Sequence, residues 1–520
     1  MYYLPDKDHK QDQNMEDNRG AGVLLHPTSF PGSNGIGELG EEALLILDWI
    51  HDAGLSLWQI LPLGPTGYGD SPYACFSAFA GNPLLISLDS LVQDGWLTGD
   101  DLDALKKLPH ECVDYGAVIT GKNRLLDKAY HNWQMKVSSD AKEEFYSFCQ
   151  NQSSWLTDFA LFMALKKFND GKVWSQWIPE HRDHNPDSMN TVRRELREKV
   201  EREQWLQYTF FQQWEKIRSY ANGLNIQIIG DMPIFVAYDS ADVWANRHLF
   251  NLDEKGNSTV VAGVPPDYFS KTGQLWGNPL YNWKAHEQEG FYWWKDRIRS
   301  TLKLVDQVRI DHFRGFDSYW EIPAEEETAV NGKWIDNEYG AKLFETLHLE
   351  MGDLPLIAED LGDLSYGHTQ ELRKKFDLPG MKILQFAFGG DATNPYLPHN
   401  IETDCVIYTG THDNNTTAGW WKETTDSKIR KHLTDYIGHK VSDPNEELLR
   451  IAYSSTAVFA ITPMQDLLGL GSEGMMNQPG KAYGNWSWRL DQNLLTEELA
   501  EQMKNLAVLY GRMPGVDKQG

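Results

Sequence analysis

The chain is poor in cysteine. Its four thiols, Cys75, Cys112, Cys149 and Cys405, include no Cys-x-x-Cys pair. That argues against a zinc knuckle or a thioredoxin-type redox centre, and scattered thiols in so long a chain fit a reducing cytoplasm. Positive charge is also scarce. With 48 Lys and Arg against 75 Asp and Glu, the net charge is -27 and no basic patch offsets it. Nucleic acid and anionic membrane are therefore poor partners, and a neutral substrate is expected. No apolar run is long enough to span a bilayer. The first residues, Met1-Tyr2-Tyr3-Leu4-Pro5-Asp6-Lys7-Asp8, lack the basic and apolar regions of a signal peptide. The sixteen His contain no His-Glu-x-x-His and no tight His/Asp cluster, so no metal is expected. One Gly-x-Gly-x-x-Gly match, Gly469-Leu470-Gly471-Ser472-Glu473-Gly474, runs into Met475-Met476-Asn477-Gln478-Pro479-Gly480. That continuation cannot open the helix a dinucleotide requires, and no cofactor is expected.

What is present suits a large globular enzyme. Of the 520 residues 41% are hydrophobic, enough for a sizeable core. There are 20 Trp; their flat faces suit sugar rings, although an aromatic core uses the same residues. Short apolar runs, each ending in a turn signal, recur at 22–26, 57–63, 225–231, 305–311, 354–359, 381–387, 405–409 and 456–461. Helical patterns lie between most of them, for example 41–53, 341–351, 369–376 and 427–437. Apolar strands alternating with helices predict a parallel sheet covered on both faces, and eight such strands predict an α/β fold, a closed (β/α)8 TIM barrel. Two intervals are too long for a minimal barrel. Residues 64–224, with helical stretches near 101–107, 122–136, 156–168 and 190–221, predict an inserted, mainly helical subdomain. Residues 232–304, rich in Gly, Pro and aromatics, predict a long loop at the site. Residues 1–20 are polar and aperiodic and read as a tail on a catalytic barrel spanning 21–520.

Three carboxylates end strand-like runs: Asp311 in Val308-Arg309-Ile310-Asp311-His312, Glu359 in Leu356-Ile357-Ala358-Glu359-Asp360, and Asp413 in Gly410-Thr411-His412-Asp413-Asn414. On parallel strands of one barrel they converge on one face, the layout expected of glycosyl chemistry. Arg309 and Asp311, two apart in a strand, point the same way. The guanidinium favours an ionised Asp311, as a nucleophile requires, while a buried structural pair is the alternative. Glu359 follows apolar residues that favour a protonated carboxyl, suited to a general acid; strand-end solvation or a helix-capping role is the alternative. His412 and Asp413 can bond neighbouring sugar hydroxyls, or simply form a polar turn. Asp231, after Ile228-Ile229-Gly230, is a fourth acid in an equivalent place.

Together these motifs resemble the 4-α-glucanotransferases, the amylomaltases or disproportionating enzymes of glycoside hydrolase family 77 in the α-amylase clan. The match runs from about residue 22 to about 488. It rests on Gly230-Asp231-Met232-Pro233-Ile234-Phe235-Val236-Ala237, on Pro265-Pro266-Asp267-Tyr268-Phe269 through Trp276-Gly277-Asn278-Pro279, and on the three acid motifs. Asp70-Ser71-Pro72-Tyr73 and Gly81-Asn82-Pro83 also resemble the family. The resemblance implies Asp311 as nucleophile, Glu359 as acid/base and Asp413 as transition-state stabiliser. It further implies that Arg309 supports Asp311, that Asp231 and His412 bind donor-sugar hydroxyls, and that Ser71, Tyr73, Asp267, Gln274, Trp276 and Asn477 line the cleft, with Phe386 in the acceptor region. The implied partners are maltooligosaccharides and α-1,4-glucans, with glucose as an acceptor. A retaining mechanism would hold the two reacting carboxyl groups about 5–5.5 Å apart. The competing readings are an α-1,4-glucan hydrolase of the same clan and a non-catalytic glucan-binding protein.

Overall fold

A computed structural model describes residues 19–513, apart from 267–269, 363 and 482. Its strands are β1 (Gly20–Leu24), β2 (Leu57–Gln59), β3 (Gln227–Pro233), β4 (Val260–Val264), β5 (Gln274–Pro279), β6 (Gln307–Asp311), β7 (Ser318–Pro323), β8 (Lys333–Asp336), β9 (Leu356–Ala358), β10 (Gly380–Ile383), β11 (Cys405–Tyr408) and β12 (Phe459–Pro463). Eight of them form one parallel sheet in the order β10-β11-β12-β1-β2-β3-β6-β9. The Ala358 N–H donates to the Pro379 carbonyl at 2.8 Å, bringing β9 against β10 and closing the ring. This is the expected (β/α)8 barrel, and each of the eight apolar runs supplies one of its strands.

The period of two along each strand splits the core into an inside and an outside. Leu57, Ile229, Ile357, Met381, Val406 and Ile461 pack with one another inside the ring. Their neighbours Trp58, Ile228, Val308, Ala358, Ile407 and Ala460 pack outward with the helical layer. Gly22 faces inward where β1 and β2 nearly touch: a Cβ there would lie 2.3 Å from the Leu57 carbonyl oxygen.

Between β2 and β3 the chain builds the helices Tyr115–Lys136, Ser139–Asn151, Ser153–Phe168, Pro186–Glu195 and Arg197–Gly223. The last is tied to the barrel side by two buried glutamines. Gln207 accepts from the Gly81 N–H at 2.7 Å and donates to its carbonyl at 2.9 Å. Gln213 does the same to Ser87 at 2.7 and 3.3 Å. Each such bond contributes about 0.5–1.5 kcal/mol net, and losing a partner would strand a buried backbone group. The stretch 101–107, read as helical, forms two 3-10 turns, Gly99–Leu102 and Leu105–Lys107. Its buried residues, Leu102 and Leu105, are three apart, the spacing that eclipses in a 3-10 turn.

A second sheet, antiparallel in the order β5-β4-β7-β8, grows from the loops after β3 and β6. Its strands escape the sequence pattern for a physical reason. Most of β5 (Gln-Leu-Trp-Gly-Asn-Pro) is exposed and rich in turn residues, so pairing with β4, rather than burial, makes it a strand. No helix among the described residues is long and apolar enough to cross a membrane.

Candidate active site

Parallel pairing places Asp231 of β3 directly beside Arg309 of β6. Arg309 is the hub of the site. One terminal nitrogen donates to both Asp231 oxygens at 2.8 and 2.7 Å, the other to Asp311 Oδ1 at 2.9 Å. Its Nε points at Met381 Sδ, 3.3 Å away. Burial works against the Arg309 charge, but the Asp231 and Asp311 carboxylates overcome it and hold its pKa well above the usual range. Asp231 is wholly buried at its side chain, whereas Asp311 keeps 30% exposure toward the cleft. Removing the guanidinium would leave Asp231 buried without a counter-charge. Arg309→Ala is therefore expected to lose about 3–5 kcal/mol of stability, measured by urea denaturation. A loss below about 1 kcal/mol would mean that the site does not depend on this pair.

Glu359 follows β9, the strand next to β6. Its Oε2 accepts from the His312 N–H at 2.7 Å and its Oε1 from the Leu361 N–H at 3.0 Å, so the carboxyl is fixed in plane. Burial pushes it up to about 7, against Arg309 and with the help of Asp311. His312 itself is left-handed, φ 52°, a conformation costing a residue with a Cβ about 1–2 kcal/mol.

The other side of the site hangs on Tyr73. Its O–H donates to Asp231 Oδ2 at 2.8 Å, and its ring stacks on His412 at 5.2 Å and 15°. Trp486 packs against both rings. His412 Nε2 lies 3.4 Å from Asp413 Oδ2. Asn477 donates to Asp413 Oδ1 at 2.6 Å, and its backbone N–H to the His412 carbonyl at 3.0 Å. Ser71 turns the chain into Tyr73, its Oγ accepting the Tyr73 N–H at 3.2 Å.

The β4–β5 hairpin closes a third side. Trp276, 38% exposed, meets the His312 ring edge-on at 4.8 Å, and its indole N–H donates to Gln274 Oε1 at 3.1 Å. Asp267 lies outside the described residues. Phe386, 37% exposed, sits in the turn after β10 and packs edge-on against Tyr396. It does not join the hydrogen-bonded network of the acids.

Sequence reasoning missed His312, Met381 and Trp486. His312 adjoins Asp311, but a left-handed residue other than Gly carries no local signal. Met381 and Trp486 come from distant parts of the chain.

The family profile for glycoside hydrolase family 77, described as 4-alpha-glucanotransferase, matches residues 25–495. A 4-alpha-glucanotransferase of Synechocystis is 46% identical over 96% of this chain and 99% of its own length. One from Thermus thermophilus is 46% identical over 96% of this chain and 100% of its own. The amylomaltase from Streptococcus agalactiae, solved in complex with acarbose, superposes with a TM-score of 0.91 at 39% identity, covering 95% of this chain and 100% of that one.

Proposed function

This chain belongs to glycoside hydrolase family 77, the 4-alpha-glucanotransferases, and from that premise we propose that it moves α-1,4-glucan segments between maltooligosaccharides, or onto glucose, through a covalent glycosyl-enzyme. The observation that carries the reading is a pair of carboxyl groups on neighbouring strand ends in opposite surroundings. Asp311 receives a charge-assisted hydrogen bond from Arg309 that aims its carboxylate into the cleft. Glu359 holds its proton up to about 7. A carboxylate oriented by a guanidinium suits a nucleophile, and a neighbouring carboxyl that keeps its proton suits an acid.

The steps follow. Glu359 gives its proton to the glycosidic oxygen while Asp311 attacks the anomeric carbon. The C–O bond breaks, and the reducing-end fragment leaves as an alcohol. Glu359, now a carboxylate, takes the proton from the 4-OH of an acceptor glucan, whose oxygen displaces Asp311. Two inversions retain the α configuration. Asp413, steadied by Asn477, and His412 bond ring hydroxyls as the oxocarbenium develops, an interaction worth most at the transition state. Asp231, wholly buried, supports the donor-sugar pocket by holding Arg309 and Tyr73 in place.

Transfer requires an acceptor sugar to outcompete water. Trp276 and the β4–β5 hairpin form an aromatic wall that raises the effective concentration of the acceptor and excludes solvent. Ser71, Gln274 and Phe386 line further parts of the cleft in this reading, with 64–224 and 232–304 as insertions that wall it. The four thiols are all unpaired, which favours a reducing cytoplasm as the compartment.

Purified protein given maltotriose alone should release glucose and build a ladder of longer maltodextrins, resolved by anion-exchange chromatography. Glucose and maltose only, with reducing ends rising in step, would identify a hydrolase instead.

A further inference from the structure

The loops after β6 and β9 carry a second aromatic group that the reaction as described does not use. The rings of Trp334 and Tyr366 stack 5.1 Å apart and 14° from parallel. The Arg314 guanidinium lies 3.9 Å over Trp334, and Trp320 meets Trp334 edge-on at 5.3 Å. Tyr366 is pinned at both ends: its O–H donates to Asp336 at 2.8 Å, and its carbonyl accepts from Arg314 at 2.8 Å. Yet Tyr366 is 36% exposed. Trp334 covers one face of the ring, so a flat ligand can meet only the other.

A flat aromatic face, rigidly backed and rimmed by polar groups, suits the C–H face of a pyranose and pays little entropy on binding. The rim disfavours an anionic ligand. Asp336 and Asp317 stand beside the ring through its O–H and the adjacent His368 N–H, while the nearby cation, Arg314, is buried under Trp334.

Position narrows the occupant further. Arg314 is three residues beyond Asp311, so their Cα atoms lie within about 11 Å. Tyr366 is on the same loop as Glu359, the group that protonates the departing reducing-end fragment and later activates the acceptor. We propose that the Tyr366 face, backed by Trp334, is an outlying glucan subsite on the leaving-group and acceptor side of the cleft, engaged by chains longer than maltotriose. It rests on the transferase reading above.

The test compares KM for maltoheptaose with KM for maltotriose. Tyr366→Ala should raise the ratio of the two by about 3- to 10-fold, the size of one lost aromatic contact. Tyr366→Phe, which keeps the ring, should restore the wild-type ratio. If Tyr366→Ala does not fold, Tyr366→Leu keeps the apolar bulk without the flat face and should shift the ratio in the same direction. An unchanged ratio in the folded variant, or an equal shift in Tyr366→Phe, overturns the subsite. A wild-type protein that makes no longer products from either sugar overturns the transferase reading instead. In that case the subsite still predicts weaker maltoheptaose binding by Tyr366→Ala in calorimetry, and equal binding refutes it.

Discussion

Asp311→Asn is expected to lower kcat for maltotriose disproportionation by about 10^4- to 10^6-fold, the range seen when a covalent nucleophile is removed. The substitution keeps the size of the side chain, and its amide oxygen still accepts from Arg309. The guanidinium also keeps its paired bonds to Asp231, so the buried charges stay compensated. Asp311 is partly exposed toward the cleft, and its neutralisation strands nothing. The melting temperature should therefore stay close to wild type while turnover disappears. Glucose release and thermal melts on the same preparation check both halves. A folded variant that retains a tenth of the wild-type rate would show that the nucleophile is another group.

Glu359→Gln should cost about 10^2- to 10^4-fold with maltodextrin donors, the usual worth of a positioned acid/base. The deficit should shrink in the first step with α-maltosyl fluoride, whose fluoride leaves without needing a proton. The pH profile adds a second check. Burial raises the Glu359 carboxyl to about 7, far above the usual value near ~4.3. The proton needed for the first step is thus present below about pH 7 and is lost as pH rises through it. The kcat/KM of the wild type with maltodextrin donors should fall along an alkaline limb with an apparent pKa near 7, and the residual activity of Glu359→Gln with the same donors should lack that limb. A limb that persists in the variant belongs to a different group.

Much of this was legible in the sequence because burial writes a pattern. Each barrel strand must fill the inside and the outside of the ring, so it appears as a short unbroken apolar run, and all eight runs became strands. The acids at the ends of β6 and β9 were visible because a carboxylate is out of place beside residues such as Ile310 and Ala358. The pairing of Arg309 with Asp311 followed from their spacing of two.

Other features left no such trace. The β5-β4-β7-β8 sheet is held by pairing between two separate loops, and its edge strand is exposed, so neither periodicity nor hydrophobicity marks it. The bond from Arg309 to Asp231 joins residues 78 positions apart; it depends on the register of β3 against β6, which no local window contains. The stack of Tyr73 on His412 likewise joins two distant loops.

The sequence by itself determined the barrel and marked the strand-end acids as candidates, since both arise from short-range alternation and from the cost of placing a charge next to apolar residues. Only the tertiary structure decided how those acids differ. Closing the ring places Arg309 between Asp231 and Asp311, and turns the left-handed His312 N–H toward Glu359. The same closure buries Glu359 enough to keep its proton near neutral pH, because the dielectric around a carboxyl is set by everything packed against it and not by its neighbours in the chain.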